Sequence, residues 1–218
     1  MTCISCKRII AVPLLEWVII LFILGLTLLW SSCNDGPLRT LPIYGPTNEE
    51  TKASHHVQPF SLIDQNGDTV TNHTFDGKIY VADFFFTTCR SICPVMSTQM
   101  ERVAAKYASN PEVLLISHSV NPEYDTPSVL KEYADIHHAV SGKWFFVTGD
   151  KKHIYDLART SYLSIASKGD GDPDDFIHTQ NFALVDKDKR IRGYYDGTDS
   201  TDVNRLLTDI DLLLKEKK

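Results

Sequence analysis

From residue 78 onward the chain alternates short apolar runs with stretches of helical period. Residues 79–86, Ile-Tyr-Val-Ala-Asp-Phe-Phe-Phe, have the length and near-continuous hydrophobicity of a strand buried on both faces, and 113–120 repeat the pattern. Between them, 95–107 places apolar residues at helical spacing, so the segment reads as a strand–helix–strand unit. Thr126 is a good helix N-cap and Pro127 suits the first turn, which opens a second helix running to about residue 138. A strand at 144–147, a helix at 153–162, a long polar loop at 164–177, a hairpin from 181–185 and 191–195, and an amphipathic helix at 203–214 complete the series. Upstream, apolar residues 60–63 and 69–70 flank Asp64-Gln65-Asn66-Gly67-Asp68, whose Asn-Gly pair suits the positive φ angles of a tight turn. The pattern predicts an α/β fold with a mixed central sheet flanked by helices.

The N-terminus follows a different rule. Lys7 and Arg8 precede an apolar stretch at 9–30, which as a helix would be about 33 Å long, enough to cross a bilayer core. The positive charges are expected to stay in the cytoplasm, leaving everything after Trp30 outside it. A retained anchor is the expectation, with two alternatives that also export the domain. One is a cleaved signal peptide with its core at 17–29, and the other is lipid modification of Cys33 after cleavage behind Ser31 and Ser32. The chain therefore divides into a membrane-targeting segment (1–33), a Gly-, Pro- and polar-rich linker (34–58) and one domain (59–218). A net charge of −6 with no basic cluster argues against nucleic acid as a partner.

Of five cysteines, Cys3 and Cys6 lie in the short tail before the apolar stretch, where nothing organises them, and Cys33 lies at the membrane boundary. Cys89 and Cys93 are the domain's own pair, at the exit of a strand and the entrance of a helix that Pro94 helps to start. The unpaired N–H groups of a helix start favour a thiolate, the reactive and metal-binding form of cysteine. A structural disulfide closing so short a loop would gain little chain entropy, so a reactive or metal-binding pair is the better reading. CxxxC is one residue longer than the CxxC of dithiol exchangers and leaves room for both sulfurs to face one soft ion, copper(I) or zinc. The domain offers no third cysteine, so a histidine must complete such a site. His55 and His56 lie in the linker, His73 beside a turn, and His137 and His138 at a helix end, while His118 and His153 stay open. His178 follows an acidic loop and precedes the strand 181–185, where the chain can fold back across the sheet end that carries the cysteines. The loop acids Asp170, Asp172, Asp174 and Asp175 lack the Gly and bidentate Glu of a calcium loop and read as a solvated surface.

Three blocks together resemble the SCO/SenC family of membrane-tethered, thioredoxin-fold copper proteins involved in cytochrome oxidase assembly. They are Asp83-Phe84-Phe85-Phe86-Thr87-Thr88-Cys89 through Cys93-Pro94; Ser119-Val120-Asn121-Pro122-Glu123-Tyr124-Asp125-Thr126-Pro127; and His178 ahead of Phe182-Ala183-Leu184-Val185-Asp186 and Ile191-Arg192-Gly193-Tyr194-Tyr195-Asp196-Gly197. The resemblance implies a thioredoxin-like fold and copper bound by Cys89, Cys93 and His178. It also implies a partner, the copper-bearing subunit of cytochrome c oxidase or another membrane copper protein. Arg90-Ser91 replaces the family's usual Pro-Asp between the cysteines, and Asn121 replaces a common Asp; neither change removes a ligand. Two functions follow as expectations: a non-enzymatic metallochaperone outside the cytoplasm, or a thiol–disulfide oxidoreductase using Cys89 and Cys93. A peroxidase fits less well, because Thr87 stands two residues before Cys89 rather than three.

Overall fold

A computed structural model describes residues 39–164 and 179–216. The targeting segment 1–33 and most of the polar loop 164–177 lie outside them. The domain is built on a seven-stranded sheet of order β2-β1-β5-β4-β3-β6-β7. Its strands are β1 (Ser61–Asp64), β2 (Thr69–Thr71), β3 (Ile79–Phe85), β4 (Val113–Ser119), β5 (Trp144–Thr148), β6 (Asn181–Val185) and β7 (Ile191–Asp196). The helices are α1 (Cys93–Lys106), α2 (Pro127–Ile136), α3 (Lys151–Asp156) and α4 (Ser200–Lys215).

The central strands β3, β4 and β5 are parallel, because helical crossovers join them, whereas the hairpin strands β1 and β6 meet the sheet antiparallel. The mixed sheet expected from the sequence is therefore present. Every residue of β3 is buried, and the two-residue period of a strand divides them between two cores. Ile79, Val81 and Phe85 face α1, α2 and α4, packing with Met96, Met100, Leu130, Leu206 and Ile210. Tyr80, Ala82 and Phe84 face the other way, with Phe75, Ile154 and Tyr162.

Local chemistry sets the boundaries. Gly67 takes φ 84 in the β1–β2 turn, as the Asn-Gly pair requires, and Asp64 Oδ1 accepts the N–H groups of Asn66 and Asp68 at 2.8 and 2.9 Å. Thr126 caps α2, accepting the Val129 N–H, but that helix ends at Ile136 rather than near 138, and His138 takes φ 53. The helix expected at 153–162 starts earlier, at Lys151 behind the Asp150 cap, and after Asp156 widens into a π turn, Leu157–Ser161. The wider turn sets Tyr162 against Phe84 and His118, with ring centroids 5.5 and 5.1 Å apart.

In its described part, the linker is a strap on the domain rather than a free spacer. Leu41 and Val57 are buried, and Tyr44 N–H donates to Ile191 O at 2.9 Å. Arg192, 3% exposed, holds the strap down: Nη2 donates to Leu41 O at 2.8 Å and Nε to Pro42 O at 3.1 Å. Its Nη1 donates to Asp186 Oδ2 and Glu216 Oε2, both at 2.9 Å.

Candidate functional site

Strand β3 ends at Phe85, and the chain turns through 86–92 before α1 starts at Cys93. Cys89 N–H donates to Phe86 O at 3.2 Å and closes that turn. No side chain caps α1 at Ile92, so its first N–H groups stay available to an acceptor, and Pro94 sits in the first turn as its missing N–H allows. Both cysteines are free thiols; Cys89 is partly exposed and Cys93 is 3% exposed.

The two sulfurs are unequal. Burial opposes ionisation of Cys89, but the backbone N–H groups of Cys93 and Ser91 and the side chains of Ser91 and Cys93 outweigh it and bring the thiol down to about 7 from 9.0. Ser91 Oγ stands 3.6 Å from Cys89 Sγ. At Cys93 burial dominates and pushes the thiol well above its ordinary range; the Phe86 N–H opposes this, while Cys89 and Asp83 add to it. One sulfur is thus available as a nucleophile or first ligand near neutral pH, and the other holds its proton until chemistry or a metal displaces it.

A polar layer lies beneath the pair. Asp83, inside the otherwise apolar β3, is 2% exposed; burial pushes its carboxyl up to about 7, against the lowering effect of a Ser117 hydrogen bond. Ser117 Oγ in turn accepts the Trp144 indole N–H at 2.9 Å. Tyr133 OH and Ser97 Oγ pair at 2.8 Å next to it.

Two positions in and beside this layer were missed by reading the sequence for ligands. A carboxylate within a buried-strand run is itself a signal, since it is expensive to bury, and it points to Asp83. Asp125, fully buried, accepts hydrogen bonds from Thr87 and Ser119; its place before the Thr126-Pro127 cap marks it only as a turn residue.

The histidines separate clearly. His118 is 0% exposed in β4 and stacked on Phe84, on the sheet face away from α1, where burial lowers it to about 4. His55 Nε2 bonds Ser161 O at 2.7 Å, His73 Nδ1 meets Asp76 at 3.1 Å, and His137 Nδ1 meets Glu101 at 2.6 Å. His153 lies in α3, where its N–H donates to the Asp150 cap. Among the described residues no group of three or more His, Cys, Asp or Glu side chains is placed to hold a metal. The expected third ligand, His178, and the acidic loop lie outside the described residues. Likewise, no described helix is long and apolar enough to cross a membrane, and the apolar run at 9–30 lies outside the described residues.

Cys89 and Cys93 thus give a soft donor pair whose side chains contact each other, one sulfur reachable from solvent and one buried. Such a pair can hold a thiophilic ion or close to a disulfide. Known proteins resemble the chain in sequence and fold. The SCO1 protein homolog of Bacillus subtilis is 34% identical over 159 residues, covering 72% of this chain and 82% of that protein. The structure of BsSco, described as a member of the Sco family of cytochrome c oxidase assembly proteins with a disulfide switch, aligns with a TM-score of 0.65 at 33% identity, covering 75% of this chain and 95% of that one. Copper-bound ScoI of Arabidopsis thaliana aligns with a TM-score of 0.58 at 27% identity, covering 73% and 98%. The SCO1/SenC family model matches residues 48–215, and the chain belongs to that family.

Proposed function

We propose that this protein is an extracytoplasmic copper carrier for assembly of the copper centre of cytochrome c oxidase. In this reading, reduced Cys89 and Cys93 with neutral His178 bind one copper ion and pass it by ligand exchange to the oxidase subunit that carries copper, or to another membrane copper protein. The observation that carries it is the sulfur pair at the uncapped start of α1, one thiol partly exposed with a lowered pKa and one buried. Two soft thiolates and a borderline imidazole suit copper(I) and tolerate copper(II). Copper in the solved Arabidopsis relative supports the choice of ion.

The topology supports His178 as the third ligand. Strand β6 runs antiparallel to β3 with Ala183 opposite Ala82, so the chain entering β6 arrives at the sheet end from which the cysteine turn leaves. His178 is bonded directly to Thr179, the first described residue there, which is itself buried. The apolar stretch at 9–30 serves in this reading as the membrane tether, with the domain on the outer face.

The unequal thiols favour one second reading, a thiol–disulfide oxidoreductase. There, Cys89 thiolate attacks a partner disulfide and releases one partner thiol; Cys93 then loses its proton, displaces the second partner sulfur, and leaves the Cys89–Cys93 disulfide. Copper titration separates the two. The reduced protein is expected to hold one copper with sulfur-to-copper charge-transfer absorption, and His178→Ala to weaken binding more than about tenfold. Unchanged affinity in that variant removes His178 from the site. Failure of the reduced parent to bind copper removes the carrier reading and leaves disulfide exchange.

A further inference from the structure

Cys89 lies on the turn between β3 and α1, and a buried carboxylate from a different turn holds it. Asp125, between β4 and α2, is 0% exposed. Its Oδ2 accepts the Thr87 N–H at 3.2 Å and the Ser119 hydroxyl at 2.5 Å, and its Oδ1 accepts the Thr87 hydroxyl at 2.5 Å. Thr87 is thus tied through both backbone and side chain, two residues before Cys89. Asp125 is itself fixed from the other side: its N–H donates to Asn121 O at 2.9 Å, and Asn121 N–H donates to Ser119 Oγ at 3.1 Å. Beside it, Val120 N–H donates to Phe85 O at 2.9 Å and extends the parallel ladder to the last residue before the cysteine turn.

The donors in this cluster are all neutral, a backbone amide and two hydroxyls. Burying a carboxylate without a cation is expensive, and a neutral side chain could stitch two turns together at less cost. What the carboxyl group adds is acceptor capacity and direction: its two oxygens take three donors at once and so tie Thr87 through both its backbone and its hydroxyl. That rigidity is spent on the residue that delivers Cys89 toward α1, where Cys93 is already fixed by its helix.

We propose that Asp125 is a positioning residue for the sulfur pair: through Thr87 it sets where the Cys89 turn stands against the start of α1. It thereby sets how readily the two sulfurs act together, as ligands of one ion or as partners in one disulfide. The physical basis is effective concentration: a turn held in register presents Cys89 to Cys93 without a further ordering cost. The copper half of this proposal rests on the carrier reading; the disulfide half does not.

The test uses the detergent-extracted full chain in glutathione buffers. There the two thiols lose two electrons and two protons, the Cys89–Cys93 bond forms, and oxidised glutathione is reduced to two thiols. Asp125→Asn and Thr87→Val are expected to shift this equilibrium toward the dithiol by about tenfold, about 30 mV for a two-electron couple. Both should also weaken copper binding. Thr87→Ser keeps the hydroxyl and is expected to match the parent. Leu62→Ala, in the core on the other sheet face, is expected to lower Tm without moving the equilibrium. Thr87→Val, which deletes a single hydroxyl bond, decides the question if Asp125→Asn does not fold. A lowered Tm in Thr87→Val with a glutathione equilibrium within about twofold of the parent would show a purely structural role and overturn the proposal. A parent that binds no copper, with the equilibrium shifted as expected, would sink the carrier reading and leave the positioning role standing.

Discussion

The substitution Asp83→Asn is expected to destabilise the protein in acid and stabilise it in mild base. In the folded chain, burial pushes the Asp83 carboxyl up to about 7 from 3.8, and its Oδ1 has no hydrogen-bond partner among the described residues. Below about pH 3.8 folded and unfolded chains both keep the proton, and its stabilising effect is fully present. Between there and about pH 7 the unfolded chain ionises first, so stability falls as pH rises; above about 7 the whole penalty applies. The gap corresponds to about 4 kcal/mol. Asn never ionises, but it places an amide group where Oδ1 now finds no partner, at a cost of about 1–3 kcal/mol. The variant should therefore be about 1–3 kcal/mol less stable than the parent near pH 4 and about 1–3 kcal/mol more stable near pH 8. Urea unfolding of the reduced protein, followed by circular dichroism across that range, measures the difference directly. Parent and variant curves that stay parallel at every pH would refute the reasoning, because the Asp83 proton would then play no part in the balance.

Two further outcomes follow from other parts of the molecule. Arg192→Ala leaves buried Asp186 short of a partner and frees the Leu41 and Pro42 carbonyls, so it should cost about 3–5 kcal/mol. It should also expose the Tyr44 amide to hydrogen exchange, and unchanged protection there would show that the strap does not depend on the arginine. Iodoacetamide should modify Cys89 in the folded domain with a rate that rises through about pH 7, while Cys93 reacts only on unfolding. Peptide mass mapping that finds Cys93 labelled as fast as Cys89 would contradict the asymmetry of the pair.

The readable parts of this fold were those governed by local chemistry. The run 79–86 had one sensible solution, a strand covered on both faces, and the Asn66-Gly67 turn and Thr126-Pro127 cap carry their geometry in two residues. The cysteine pair was readable for the same reason: a strand end, two thiols and a proline state their own arrangement. What escaped depended on partners far along the chain. Leu41, Tyr44 and Val57 are apolar residues in a stretch rich in glycine, proline and polar residues, and contacts with Arg192, Ile191 and Lys189, well over a hundred positions away, make them a strap. Asp125 looks like any turn residue until Thr87 is brought against it, and the π turn after Asp156 answers to the packing of Tyr162 rather than to any local signal. His178 shows the same limit, since spacing along a sequence does not measure a distance in space.

The arginine staple stands far from the thiols. Arg192 groups with Asp186, Leu213 and Glu216 around Ile79, where β3 begins, whereas the thiols leave from Phe85, about 20 Å further along the same strand. A pull on the chain ahead of Leu41 is therefore expected to fall first on the Arg192 contacts with Leu41 and Pro42 at one pole. The sulfurs at the opposite pole can meet a partner without that tension reaching the turn that aligns them.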